Sequence, residues 1–255
     1  MVEQLGQYLP ADTGDLRARL AHWAQSMPAA STSATGSSPR RTPGAAWQNG
    51  QPLAVSGEAL LRAGMGAEFA GVELAQCHPL LREALEGYCG GFAGHVALGR
   101  GLAIWGGQGT GKTAGLALIA EAAHRWLEGP EPTGWETAQW APARYVRMPR
   151  LVRYLGDFLP ASERAGWDQR YRELCRCGVL LIDEAQAMPT DRGCALLLDL
   201  IDERVSTRRP VCLAMNADWQ ALRDDQAPLL RQIREKLEAG CREVAVPGES
   251  RRRGW

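Results

Sequence analysis

At 255 residues the chain is long enough for one α/β domain with a sizeable core and a small appendage, but two full domains are not expected. Its 29 basic residues balance 29 acidic ones, so the net field is near zero and any attraction to nucleic acid has to come from local patches. Seven cysteines (77, 89, 175, 177, 194, 212 and 241) lack the CxxC spacing of a zinc or redox site, and their odd number argues against a closed disulfide set. Free thiols are expected, and with a polar start around Glu3 and no apolar run of spanning length, so is a soluble cytoplasmic protein without a cleaved leader or membrane contact.

Residues 1–25 form a short helical candidate, with Asp12 or Thr13 as cap and Leu16, Leu20 and Trp23 along one face, suited to docking a partner. Residues 26–56 are rich in serine, glycine, alanine and proline and read as a flexible linker, with Arg40 and Arg41 solvated in it. Residues 57–255 then read as one globular domain. Ala59–Ala63 is helical, and Pro79, suited to a first turn, opens a second helix through Glu86 toward Gly90 and Gly91.

Leu102–Trp105 is a short apolar run that predicts a buried strand, and the alanine- and leucine-rich stretch Lys112–Leu127 predicts a helix. Between them Gly106, Gly107, Gln108, Gly109, Thr110, Gly111, Lys112 and Thr113 match the phosphate-loop pattern GxxxxGK[ST] without a mismatch. The chemistry asks for each residue type: glycines let backbone N–H groups turn inward around an oxyanion, the lysine reaches the outer phosphates, and the threonine hydroxyl ligates Mg²⁺. The helix start adds a favourable dipole. A dinucleotide fingerprint fails, because it needs glycine where Lys112 stands.

Residues 128–143 have the prolines and glycines of a loop, with Trp135 and Trp140 read as covering a core edge. Arg144–Met148 is a strand candidate and Pro149–Leu159 a helix. Ala161–Cys177 is an amphipathic helix whose Arg164, Arg170, Arg172 and Arg176 form either a solvated face or a surface turned to a DNA strand. Val179–Glu184 follows as a buried parallel strand ending in two carboxylates, which puts Asp183 where it holds Mg²⁺ and Glu184 where it orients or deprotonates water. After a helix over Cys194–Val205, Arg208, Arg209 and Pro210 form a stop, and Val211–Met215 is a further strand with Asn216 at its end. An amide there would sense the terminal phosphate and help place the attacking water. Ala217–Asp224 and Leu229–Ala239 are helical, the second carrying Arg231, Arg234 and Lys236; Arg242–Val246 is a last strand, and Arg251–Arg253 form a basic tail that is solvated or touches phosphates.

From about Ala63 onward these segments resemble the DnaC/IstB family of bacterial AAA+ ATPases, helicase loaders and transposition helpers. The carriers are GGQGTGKT, YVRMPRLVRYL, VLLIDEA, LLLDLIDERVSTRRPVCLAMNAD and the closing VAVPGESRRR, in that order and at compatible spacing. The resemblance implies a P-loop AAA+ core with strand order 5-1-4-3-2 and little or no C-terminal lid. It further implies ATP and Mg²⁺ as cofactors, and ATP-dependent handling of a replicative helicase or a transposase on DNA. In the family an arginine on the helix before the last strand reaches the ATP of a neighbouring subunit; Arg231, Arg234 and Lys236 compete for that role, and Arg234 is the choice. Arg252 stands in the family's closing glycine-x-serine-x-arginine pattern.

The expected function is therefore that of a DnaC-like helicase loader that hydrolyses ATP, self-associates in the ATP state and binds single-stranded DNA, with Glu184, Asn216 and Arg234 as its catalytic residues. An IstB-like transposition helper keeps the fold and changes the client. A small-molecule kinase and a non-hydrolysing DNA adaptor are the alternatives of another class.

Overall fold

Three short apolar runs, GLAIWG, VLLID and VCLAM, supply the central strands β1 (Gly101–Gly106), β3 (Val179–Asp183) and β4 (Val211–Met215) of a parallel sheet. Every residue of β3 and β4 is buried, as expected of parallel strands covered on both faces. The sheet is completed by β2 (Ala143–Arg147) and β5 (Cys241–Val246) at its edges, in the order β2-β3-β4-β1-β5. This is the implied 5-1-4-3-2 order read from the other edge. The computed structural model describes residues 54–127, 141–154, 161–187, 191–216 and 228–248. The chain divides into two units, Met1–Thr42 and Pro43–Trp255, and all described residues lie in the second. The candidate helix at 1–25, most of the proposed linker, Trp135, Trp140, the helix expected at 217–224 and Arg251–Arg253 lie outside the described residues.

Helix α1 (Gly57–Ala63), α2 (Pro79–Gly90) and α3 (Phe92–Ala97) precede β1. Helix α4 (Lys112–Leu127) packs between these helices and the sheet, so Leu116, Ala117, Leu118 and Ile119 are all fully buried. Small residues on α4 permit that close fit; Gly115 lies against Leu81 and Leu85. Helices α5 (Met148–Tyr154), α6 (Ala161–Arg176), α7 (Asp191–Ser206) and α8 (Pro228–Gly240) complete the described helices. None of these is long and apolar enough to cross a membrane.

Of the boundaries that differ from expectation, three have a clear physical reason. Met148, read as the end of a strand, opens helix α5: its side chain is fully buried and Pro149 occupies the first helical turn, where its missing N–H costs nothing. Glu184 falls outside β3, because its backbone turns left-handed at φ 54. Residues 54–56, assigned to the linker, are part of the domain: Val55 is buried and bonded to Val72, and Ala54 bridges Glu73.

Ser56 shows why. Its hydroxyl accepts from the Ala59 N–H and caps α1, while its own N–H and hydroxyl donate to the Glu121 carboxylate of α4 at 2.8 and 2.7 Å. Burial pushes the Glu121 carboxyl up, but the Ser56 bonds and Arg125 outweigh it and hold the group below its ordinary range. A second tie is Arg204, fully buried on α7, whose guanidinium donates to the carbonyls of Leu174, Cys175, Cys177, Gly178 and Pro210. It thereby joins the negative C-terminal end of α6 to the lead-ins of β3 and β4.

Removing that guanidinium strands several buried carbonyls, so Arg204→Met is expected to cost about 3 kcal/mol or more in urea denaturation; a loss under about 1 kcal/mol would contradict the role given to it. Because the Glu121 pKa is depressed on folding, its stabilisation is present above the unfolded value and is lost as pH falls through the folded value. The stability gap between the unaltered chain and Glu121→Gln should be constant above about pH 5.5 and shrink below about pH 4.5. A gap unchanged down to about pH 3 would contradict it.

Candidate nucleotide-binding site

Strand β1 ends in the glycine-rich turn. At Gly106 the backbone adopts φ 141, and a Cβ there would stand 2.1 Å from the Val246 carbonyl oxygen, so only glycine lets the loop leave the sheet beside β5. Gly111 turns at φ 92 immediately before α4. Lys112 then folds back over the loop, only 5% exposed, donating to the carbonyls of Gly106 (3.0 Å) and Gly107 (2.5 Å) and to the Thr110 hydroxyl (3.2 Å). Thr110 in turn donates to Gly107 at 2.9 Å. The N-terminus of a 16-residue helix and one ammonium thus lie at the glycine-rich turn, the arrangement that receives an anion.

Thr113, next along α4, donates its hydroxyl to Oδ2 of Asp183 at 2.9 Å. Asp183 closes β3, and its carboxylate also accepts from the Tyr145 hydroxyl (2.9 Å) and from the Glu184 N–H (2.8 Å). Burial and the neighbouring Asp183 charge push the Tyr145 phenol well up, so it stays protonated and remains a donor. A hydroxyl and a carboxylate oxygen side by side at the phosphate loop suit Mg²⁺, which takes few protein oxygens and keeps several waters. The residues present therefore fit a magnesium-bound nucleotide.

Glu184 carries the left-handed backbone, a strained conformation for a non-glycine residue. Its carboxylate is held by Arg147 of β2, which donates from Nη2 at 2.7 and 2.9 Å and from Nε at 3.3 Å. Asn216 follows β4, is exposed, and donates its N–H to Oε1 of Gln186 at 2.9 Å. The structure thus brings Gly106–Thr113 together with Asp183. Arg234 sits apart from these contacts, on α8, paired with Glu238 one turn along the helix, and α8 packs on α7 and β5. Of the competing side chains, Lys236 pairs with Asp202 at 2.6 Å and Arg231 is exposed.

Three residues with a hand in the site were not singled out from the sequence: Tyr145, Arg147 and Gln186. The first two had a usable signal. Once β2 is set beside β3, the register places Arg147 level with Asp183, and Tyr145 two residues back shares a face of the strand with it.

No protein-family model matches the chain, and no curated protein matches it in sequence. Solved structures do. The chain is similar to the crystal structure of DnaI, with a TM-score of 0.55 and 20% sequence identity over 74% of this chain and 94% of that one. It is also similar to the crystal structure of the DnaC helicase loader, with a TM-score of 0.51 and 16% identity over 71% of this chain and 99% of that one. The strand order, the phosphate loop after β1 and the acidic end of β3 make the fold that of an AAA+ P-loop domain.

Proposed function

We propose that the chain is a magnesium-dependent ATPase acting in DNA replication as a DnaC-like helicase loader. The observation that carries the catalytic half of this reading is the Thr113–Asp183 oxygen pair beside the phosphate loop, followed at once by Glu184. The client half is supported by the likeness in fold to a helicase loader over nearly the whole of that chain.

In this reading Gly107–Gly111 offer backbone N–H groups to the phosphates, and Lys112 exchanges its carbonyl partners for phosphate oxygens. Thr113 and Asp183 hold Mg²⁺, which neutralises phosphate charge when bound. Glu184 orients the attacking water or accepts its proton, and Asn216 senses the terminal phosphate from the end of β4. With Glu184 drawn to Arg147, the isolated chain holds its base back. An arginine from a second copy, assigned to Arg234, completes the site when copies associate in the ATP state, and single-stranded DNA and the helicase are the partners of that assembly. Such an arginine supplies orders of magnitude in rate, so the monomer should be a slow enzyme.

Lys112→Ala is expected to abolish ATP binding in a calorimetric titration. Glu184→Gln should bind normally and lose at least about 100-fold in turnover. Arg234→Ala should bind as a monomer and fail only when assembled, whereas Arg231→Ala should not. If Lys112→Ala and Glu184→Gln are equally unable to bind, the division of roles is wrong. If Arg231→Ala fails in place of Arg234→Ala, the trans assignment moves to Arg231. For Arg147→Ala, the freed carboxylate should raise the basal rate several-fold; an unchanged or lower rate would show that Arg147 does not restrain Glu184.

A further inference from the structure

Asp183 is only 7% exposed, so the protein itself sets the hydrogen bonds of its carboxylate. Oδ2 accepts from the Thr113 hydroxyl and from the Tyr145 hydroxyl, both at 2.9 Å, and Oδ1 accepts from the Glu184 N–H at 2.8 Å. An ionised carboxylate offers about four lone-pair positions, two on each oxygen. Oδ2 is therefore full, and among the described residues nothing fills the second position on Oδ1.

Tyr145 is the donor in this set that belongs neither to the phosphate loop nor to the backbone. Strand register sets it level with Leu181, two residues short of Asp183, which leaves a gap of roughly 6.5 Å along the strand. A long side chain with a hydroxyl at its tip spans that gap; serine or threonine would fall short of it. The ring packs against the core cluster, so the hydroxyl arrives with its direction fixed.

The two common divalent cations ask different things of a carboxylate. Mg²⁺ demands a near-ideal octahedron, which the narrow bite of two oxygens on one carbon does not fit, whereas Ca²⁺ accepts a carboxylate through one oxygen or both and takes more ligands. We infer that Tyr145 is a positioning residue that sets the metal selectivity of the site: by filling the last position on Oδ2 it limits Asp183 to Oδ1, and so favours Mg²⁺ over Ca²⁺. The inference rests on the reading of Thr113 and Asp183 as the metal seat. Phenylalanine at 145 would keep the ring in the core and return one lone pair to Oδ2, which opens both oxygens of Asp183 to a larger ion.

The test uses the full chain held at saturating concentrations of a non-cleavable ATP analogue and titrates Mg²⁺ and Ca²⁺ separately by calorimetry, in the unaltered chain and in Tyr145→Phe. The ratio of the Ca²⁺ to the Mg²⁺ dissociation constant should fall by about tenfold in Tyr145→Phe, with the metal-free affinity for the analogue and the urea midpoint unchanged. A tyrosine that only supports the fold would weaken both ions alike and leave the ratio as it was, and that result overturns the inference. If Tyr145→Phe does not fold, Tyr145→Met also lacks the hydroxyl and carries the same expectation. Asp183→Asn separates this inference from the reading beneath it. If neither ion tightens analogue binding to the unaltered chain, or if Asp183→Asn keeps the full metal gain, the metal seat fails and the inference fails with it. If Asp183→Asn loses the gain while Tyr145→Phe keeps the ratio, the role of Tyr145 alone is refuted.

Discussion

The hydroxyl of Thr113 and the carboxylate of Asp183 meet at 2.9 Å although 70 residues separate them in sequence. Thr113 opens the helix that follows β1 and Asp183 ends β3, and those two strands do not pair. β4 lies between β1 and β3, and its Leu213 pairs with Ala103 on one side and Ile182 on the other. Because all three strands run parallel, their C-terminal ends lie along one edge of the sheet, where α/β folds place their ligands. The site is therefore only as well defined as that stack of three buried strands, whose inward residues are almost wholly excluded from solvent.

Two charged side chains inside the fold keep this geometry fixed. Arg204 gathers the carbonyls at the end of α6 and at the lead-ins of β3 and β4, setting the level at which Asp183 leaves the sheet. Glu121 ties the first described residues to the far half of the phosphate-loop helix. Neither side chain touches the loop itself. Both fix what the loop is attached to, and the strain at Glu184 persists because its neighbours on either side are held, Asp183 by Thr113 and Tyr145, and Ala185 by Ala214.

Much of this was legible in the sequence because its signals are local. Gly106–Thr113 is a contiguous pattern, β3 and β4 are uninterrupted apolar runs, and the strand order followed from the resemblance that the motifs carry. What escaped was relational. The Arg147–Glu184 pair and the Tyr145–Asp183 bond need the register of β2 against β3, which composition does not encode. Arg204 reads in sequence as one more charge near a helix end, yet the fold buries it completely. The reach of the domain back to residue 54 was hidden by a serine in a serine-rich stretch, which the fold uses as a helix cap. The helix opening at Met148 likewise depends on tertiary burial of that side chain, which outweighs the strand pattern before it.

The central claim is that Thr113 and Asp183 together seat a metal for a nucleotide on the loop. It is tested most directly by calorimetric titration of the full chain with a non-cleavable ATP analogue, with and without Mg²⁺, in the unaltered chain and in Asp183→Asn. The account predicts that Mg²⁺ tightens binding in the unaltered chain and that this gain disappears in Asp183→Asn while the metal-free affinity is retained. No binding of the analogue to the unaltered chain, or a magnesium gain that survives Asp183→Asn undiminished, would contradict it.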